Sequence, residues 1–164
     1  MDSLADLSAA VATAADTGTV WRAVRRFLRA RGVGRMSFHH RSVVSPEAAV
    51  VVADGFPEDW VRHYVAHELS LVDPITALAA KRTRPFYWSD TALLTSLTGA
   101  EAAYLRDLET AELGDGLAMQ VYGPNMLHAY VGLGFGPGRR PDLAPDAISS
   151  SRGRSRWPTS STAT

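Results

Sequence analysis

The chain has 164 residues, 17 basic and 17 acidic side chains, no cysteine, and 46% hydrophobic residues. That length suits one domain with a proper core, and the balanced charge offers no basic surface for nucleic acid or membrane. Without cysteine there is no disulfide, thiolate metal site or cysteine nucleophile. Met1-Asp2-Ser3-Leu4 lacks the basic-then-apolar pattern of a signal peptide. No apolar run reaches the roughly 18 residues of a membrane span. A cytoplasmic protein without membrane contact is expected.

Leu4, Leu7, Val11 and Ala14 recur at helical spacing behind Ser3, which predicts a capped amphipathic helix. Thr17-Gly18-Thr19 breaks it, and Thr19 is the expected cap of a second helix. There Val20, Val24, Phe27 and Leu28 form the apolar stripe, Arg22, Arg25, Arg26 and Arg29 a solvated face, and Gly32 the stop. Val33 to Arg41 and Ala48 to Ala53 read as strands of a hairpin turning at Ser45-Pro46. Pro57 opens a helix expected to run to about Leu71. Asp73-Pro74 starts another, with a carboxylate cap and a proline whose missing N–H costs nothing there. Arg84-Pro85 should end it, and Phe86-Tyr87-Trp88 is extended. Thr98 and Glu101 form a capping box ahead of Tyr104, Leu105 and Leu108, in a helix expected to end near Gly114. Leu117 to Tyr122 and Ala129 to Phe135 read as a second hairpin around Gly123-Pro124-Asn125. Helices, hairpin, helices and hairpin in that order define an α+β class, an antiparallel sheet with helices packed on it.

From Gly136 the composition turns to Gly, Pro, Arg, Ser and Thr. Ser149 to Thr164 has almost no apolar residue and is expected to stay disordered, because it cannot bury enough surface to offset its ordering entropy.

The chemically informative residues lie between Phe56 and Trp88. Trp60 and Tyr64 are four apart, on one helical face that is expected to continue to His67 and Leu71. Trp60, Tyr64 and Trp88 each join a large apolar body to one polar tip, and Asp73 adds an acceptor. Around a pocket, such a set suits a small molecule with one polar and one hydrocarbon end. On these residues alone, core packing for the aromatic pair and simple capping for Asp73 are the more usual roles.

Together these residues resemble the LuxR-family autoinducer-binding domain. Its pattern is a Trp and a Tyr four apart, an Asp-Pro nine residues on, a Pro-Phe-x-Trp element, and a Gly before a strand; here these are Trp60, Tyr64, Asp73-Pro74, Pro85-Phe86-Tyr87-Trp88 and Gly116. The resemblance covers Leu4 to Phe135. It implies an α-β-α sandwich with a five-stranded antiparallel sheet, no enzyme activity, no cofactor, and an N-acyl-homoserine lactone as ligand. It further implies that Trp60 donates to the lactone carbonyl, Tyr64 bonds the acyl carbonyl, Asp73 accepts the amide N–H, and Trp88 packs against the lactone ring. Pro74 and Gly116 would be structural. Met36, Phe56, Ile75, Leu117, Met119, Tyr130 and Gly132 are the expected pocket walls.

The chain also departs from the pattern. Phe56 lacks the hydroxyl of a Tyr that some relatives carry, Gly132 stands near a common Ser or Thr, and Gln120 near a common Pro. These changes bear on the acyl chain and its 3-substituent. Pro141 to Ile148 reads as the start of a last helix that dissolves into Ser149-Ser150-Ser151-Arg152. A domain over residues 1–148, a tail over 149–164 and no helix-turn-helix domain are therefore expected, as in a regulator cut short. Such a module would sequester signal, form a homodimer, or pair with a full-length regulator; a degenerate fragment is the alternative. His63 and His67, one helical turn apart, are the residues a competing metal- or haem-binding reading would use, but no Glu stands between them at the zincin position.

Overall fold

The computed structural model describes residues 3–41, 50–123, 127–136 and 138–139. The Ser45-Pro46 turn, most of the Gly123-Pro124-Asn125 turn, the Pro141–Ile148 helix start and the 149–164 tail lie outside the described residues.

The helices are α1 (Leu4–Ala12), α2 (Thr17–Arg29), α3 (Glu58–Ala66), α4 (Pro74–Ala79), α5 (Thr91–Leu94) and α6 (Gly99–Thr110). The strands are β1 (Val33–Arg41), β2 (Val50–Asp54), β3 (Phe86–Tyr87), β4 (Gly116–Tyr122) and β5 (His128–Phe135). They form one antiparallel sheet in the order β2-β1-β5-β4-β3. Each face of the sheet is covered by helix, giving the expected α-β-α sandwich. On one face Val33, Met36, Leu117 and Phe135 pack with Trp21 and Leu28 of α2. On the other, Ile75, Leu78, Phe86, Trp88, Tyr104, Ala118 and Tyr130 form the larger core, joined by Trp60 and Tyr64 of α3. Among the described residues no helix is long and apolar enough to cross a membrane.

Local chemistry explains where the helices start and stop. Ser3 and Asp6 make a capping box on α1. Yet α1 buries no residue, and Leu4 is 69% exposed, so the Leu4–Leu7–Val11 stripe is not core. The cap of α2 is Asp16, not Thr19: its carboxylate accepts from Thr19 N at 2.6 Å. A carboxylate three residues earlier reaches the free N–H groups that Thr19, already inside the helix, cannot. Two of the four α2 arginines are not simply solvated, since Arg25 and Arg29 both bond Asp54 of β2 at 2.9 Å. Gly32 has φ +86°, a left-handed stop that favours glycine.

The helix from Pro57 ends sooner than its periodicity implies. α3 stops at Ala66, Glu68 turns left-handed at φ 49°, and a 3-10 turn covers Leu69–Leu71. Leu71 is 73% exposed and off the Trp60–Tyr64 face. α4 closes at Ala79, well before Arg84-Pro85, and α6 at Thr110 rather than near Gly114.

Candidate ligand-binding site

Three elements bring the site together. α3 is one helix of 3.6-residue period, so Trp60 and Tyr64 project from the same side onto the sheet. Asp73 sits at the N-cap of α4, where its Oδ1 accepts from Ile75 N at 2.9 Å and Thr76 N at 3.4 Å. Its Oδ2 accepts from the Tyr64 hydroxyl at 3.0 Å. Asp73 is thus a helix cap and a cavity residue at once, one oxygen for each task. Trp88 follows β3, which pairs with β4 through Phe86–Ala118 and Tyr87–Leu117. Its indole lies over Gly116: a Cβ there would come 2.4 Å from the ring. Only glycine lets the strand accept the indole so closely.

These side chains line a cavity between the sheet and α3, α4 and α6, with about 580 Å³ of empty space including the part open to solvent. Trp60, Tyr64, Asp73 and Trp88 all line it, as do the expected Phe56, Ile75 and Tyr130. Val51 and Val65, 55% and 69% exposed, mark its solvent side. Most of the wall is hydrocarbon and aromatic ring. Tyr64 packs edge-on against Tyr104 at 6.2 Å, and Trp60 lies 6.3 Å from the same ring.

The buried carboxylate dominates the electrostatics. Asp73 is only 6% exposed, and burial pushes its pKa up to about 6, against the pull of Ile75 N–H, the Tyr64 hydroxyl and Thr76 N–H. Burial also raises the Tyr104 and Tyr130 phenols above their ordinary range, and the nearby Asp73 charge adds to this. Both phenols therefore stay neutral and keep their protons. Trp88 Nε1 is buried and faces the Tyr130 hydroxyl oxygen as a donor.

Met36, Leu117 and Met119 do not line the cavity. Strand side chains alternate between faces, and these three pack against the α2 layer. The cavity side of β1 instead carries Ser37 and His39. Gly132 contributes no side chain but lies under the cavity, facing Ser37 and Tyr130. Val61, Tyr104 and Leu108 also line the cavity without having been anticipated there. The signals were present: Tyr104 and Leu108 are one helical turn apart on α6, and Val61 adjoins Trp60 on α3. His63 and His67 stack at 4.4 Å near the end of α3, and among the described residues no three His, Cys, Asp or Glu side chains form a metal-holding group.

A cavity that is apolar on its walls and polar around one buried carboxylate defines a small-molecule-binding domain on an α-β-α frame. More particularly, the chain belongs to the autoinducer binding domain family, whose model matches residues 16–157. It is similar to the transcriptional activator protein EsaR of Pantoea stewartii subsp. stewartii, 38% identical over 47 residues, which are 29% of this chain and 19% of that protein. Its fold is similar to the crystal structure of CepR2 of Burkholderia cenocepacia, an N-acylhomoserine lactone-dependent LuxR family transcription factor. The TM-score is 0.68 at 20% identity, over 90% of this chain and 82% of that one. The structure of SdiA in complex with octanoyl-rac-glycerol matches with TM-score 0.68 at 18% identity, over 88% of this chain and 57% of that one. The family is one of ligand-binding transcriptional regulators, not of enzymes.

Proposed function

We propose that this domain binds an N-acyl-homoserine lactone in the cavity between the sheet and α3, α4 and α6. The observation that carries this is Asp73, a buried carboxylate in an apolar cavity with one oxygen fixed on the α4 backbone and the other held by Tyr64. Such an oxygen suits an uncharged N–H donor attached to hydrocarbon. In this reading Asp73 accepts the amide N–H and Trp60 donates its indole N–H to the lactone carbonyl. Trp88 packs against the lactone ring, in the clearance left by Gly116. The acyl chain lies along Phe56, Val61 and Leu108, gaining about 0.8 kcal/mol per buried methylene. CepR2's dependence on an N-acylhomoserine lactone supports the same ligand class.

Binding would act by withholding the signal from other regulators of the family or by pairing with one of them in the cytoplasm. Isothermal titration of the full chain with N-acyl-homoserine lactones of increasing chain length tests the binding. The expected result is saturable heat, with octanoyl-rac-glycerol, which has no amide N–H for Asp73, binding more weakly. No heat with any lactone would overturn the reading.

A further inference from the structure

The sheet floor of the cavity holds a second polar group that the roles above leave unused. Across the floor, Ala53, Ser37, Gly132 and Ala118 stand in register on β2, β1, β5 and β4, a row of small residues that forms a trough. Over its glycine two hydroxyls converge. A Cβ on Gly132 would meet Ser37 Oγ at 2.6 Å and Tyr130 OH at 2.7 Å. Those hydroxyls occupy the place that any larger residue at 132 would fill. Beside the Tyr130 hydroxyl lies the buried Trp88 Nε1, an N–H donor that faces the phenol oxygen.

The geometry of the ligand's amide gives these donors a partner. In a planar trans amide the N–H and C=O point in opposite directions. Asp73 reaches the cavity from the helix layer and Tyr130 from the sheet. An amide that gives its N–H to Asp73 therefore aims its carbonyl at the floor. Tyr64 has a single hydroxyl proton, and Asp73 Oδ2 takes it. Phe56 and Gly132 carry no hydroxyl. We infer that Ser37 and Tyr130 are the specificity-determining residues of this site, donating to the acyl carbonyl oxygen of an N-acyl ligand over the clearance at Gly132.

This rests on the lactone-binding reading, and the test keeps the two apart. The full chain, Ser37→Ala and Tyr130→Phe are titrated with N-octanoyl-homoserine lactone carrying ¹³C at the acyl carbonyl, and the labelled band is followed by infrared difference spectroscopy. Near-UV circular dichroism establishes that each variant is folded. Each substitution should weaken binding about fivefold, the effect of one buried neutral hydrogen bond. In each, the labelled carbonyl band should move to higher wavenumber as it loses a donor. Wild-type binding with unchanged affinity and an unmoved band in both variants overturns this inference and leaves lactone binding intact. Weaker binding with an unmoved band in both also overturns it, because the residues then only support the wall. No binding by the wild-type chain overturns the lactone reading itself.

Discussion

Tyr64 and Asp73, nine residues apart in sequence, meet at 3.0 Å inside the cavity, hydroxyl to carboxylate. The bond joins α3 to the start of α4 and aims the one carboxylate oxygen that α4 does not use. Two elements are thereby set by the same residue that the ligand would contact.

Replacing that oxygen should be expensive for binding. Asp73→Asn turns the cavity-facing oxygen into an N–H₂ group or disturbs the cap, and either way a charge-assisted acceptor is lost. A loss of about 10- to 100-fold in lactone affinity is expected. Glu58→Gln, in the exposed first turn of α3, should leave affinity unchanged. Equal losses in parallel titrations would remove Asp73 from the assigned pose.

Acid should release the ligand. An amide N–H favours the ionised carboxylate, so affinity should fall as pH drops through about 6. Folding has the opposite sign. The folded pKa lies above the ordinary carboxylate value of 3.8, so the native state holds the extra proton between 3.8 and about 6. This group's contribution therefore favours folding most below 3.8 and declines as pH rises through 6. In Asp73→Asn both dependences should flatten, as read by titrations and melts between pH 5 and 7.5. A wild-type affinity that is level across that range would contradict this.

Gly116→Ala should damage the site from behind. The new methyl would lie 2.4 Å from the Trp88 indole and force it to move. Overpacking of this kind costs about 1–3 kcal/mol. A lower melting temperature and weaker lactone binding are expected together. A variant with unchanged melting and binding would show that Trp88 does not need the clearance.

Much of this was legible because helices advertise their faces. Trp60 and Tyr64 fell on one side of α3, Asp73-Pro74 marked a helix start, and Thr98 with Glu101 marked another. The sheet was harder. Alternation tells that neighbouring residues face opposite ways but not which way is the cavity, and here both faces are covered by helix. Met36 is an expected wall of the pocket, yet the apolar side of β1 faces α2 and the polar side, Ser37 and His39, faces the cavity. Leu117 and Met119 followed the same wrong parity on β4. The early end of α3 was hidden too, because Glu68 adopts a left-handed backbone that no glycine announces.

Ligand should also stabilise the domain. With lactone at 100 times its Kd, mass action adds about 2.7 kcal/mol. For a domain of this size that is a rise of about 5–10 °C in melting temperature. A melting temperature indifferent to lactone would indicate that the folded state does not hold it.

The most direct test is what the cavity contains when the protein leaves the cell. The chain is expressed with and without added N-acyl-homoserine lactones, purified, and its extracted small molecules are weighed by mass spectrometry. One lactone per chain, present only when supplied and depleted in Asp73→Asn, is the predicted result. Protein that carries no lactone from supplied cells, or that holds it equally well without the Asp73 carboxylate, would contradict the account.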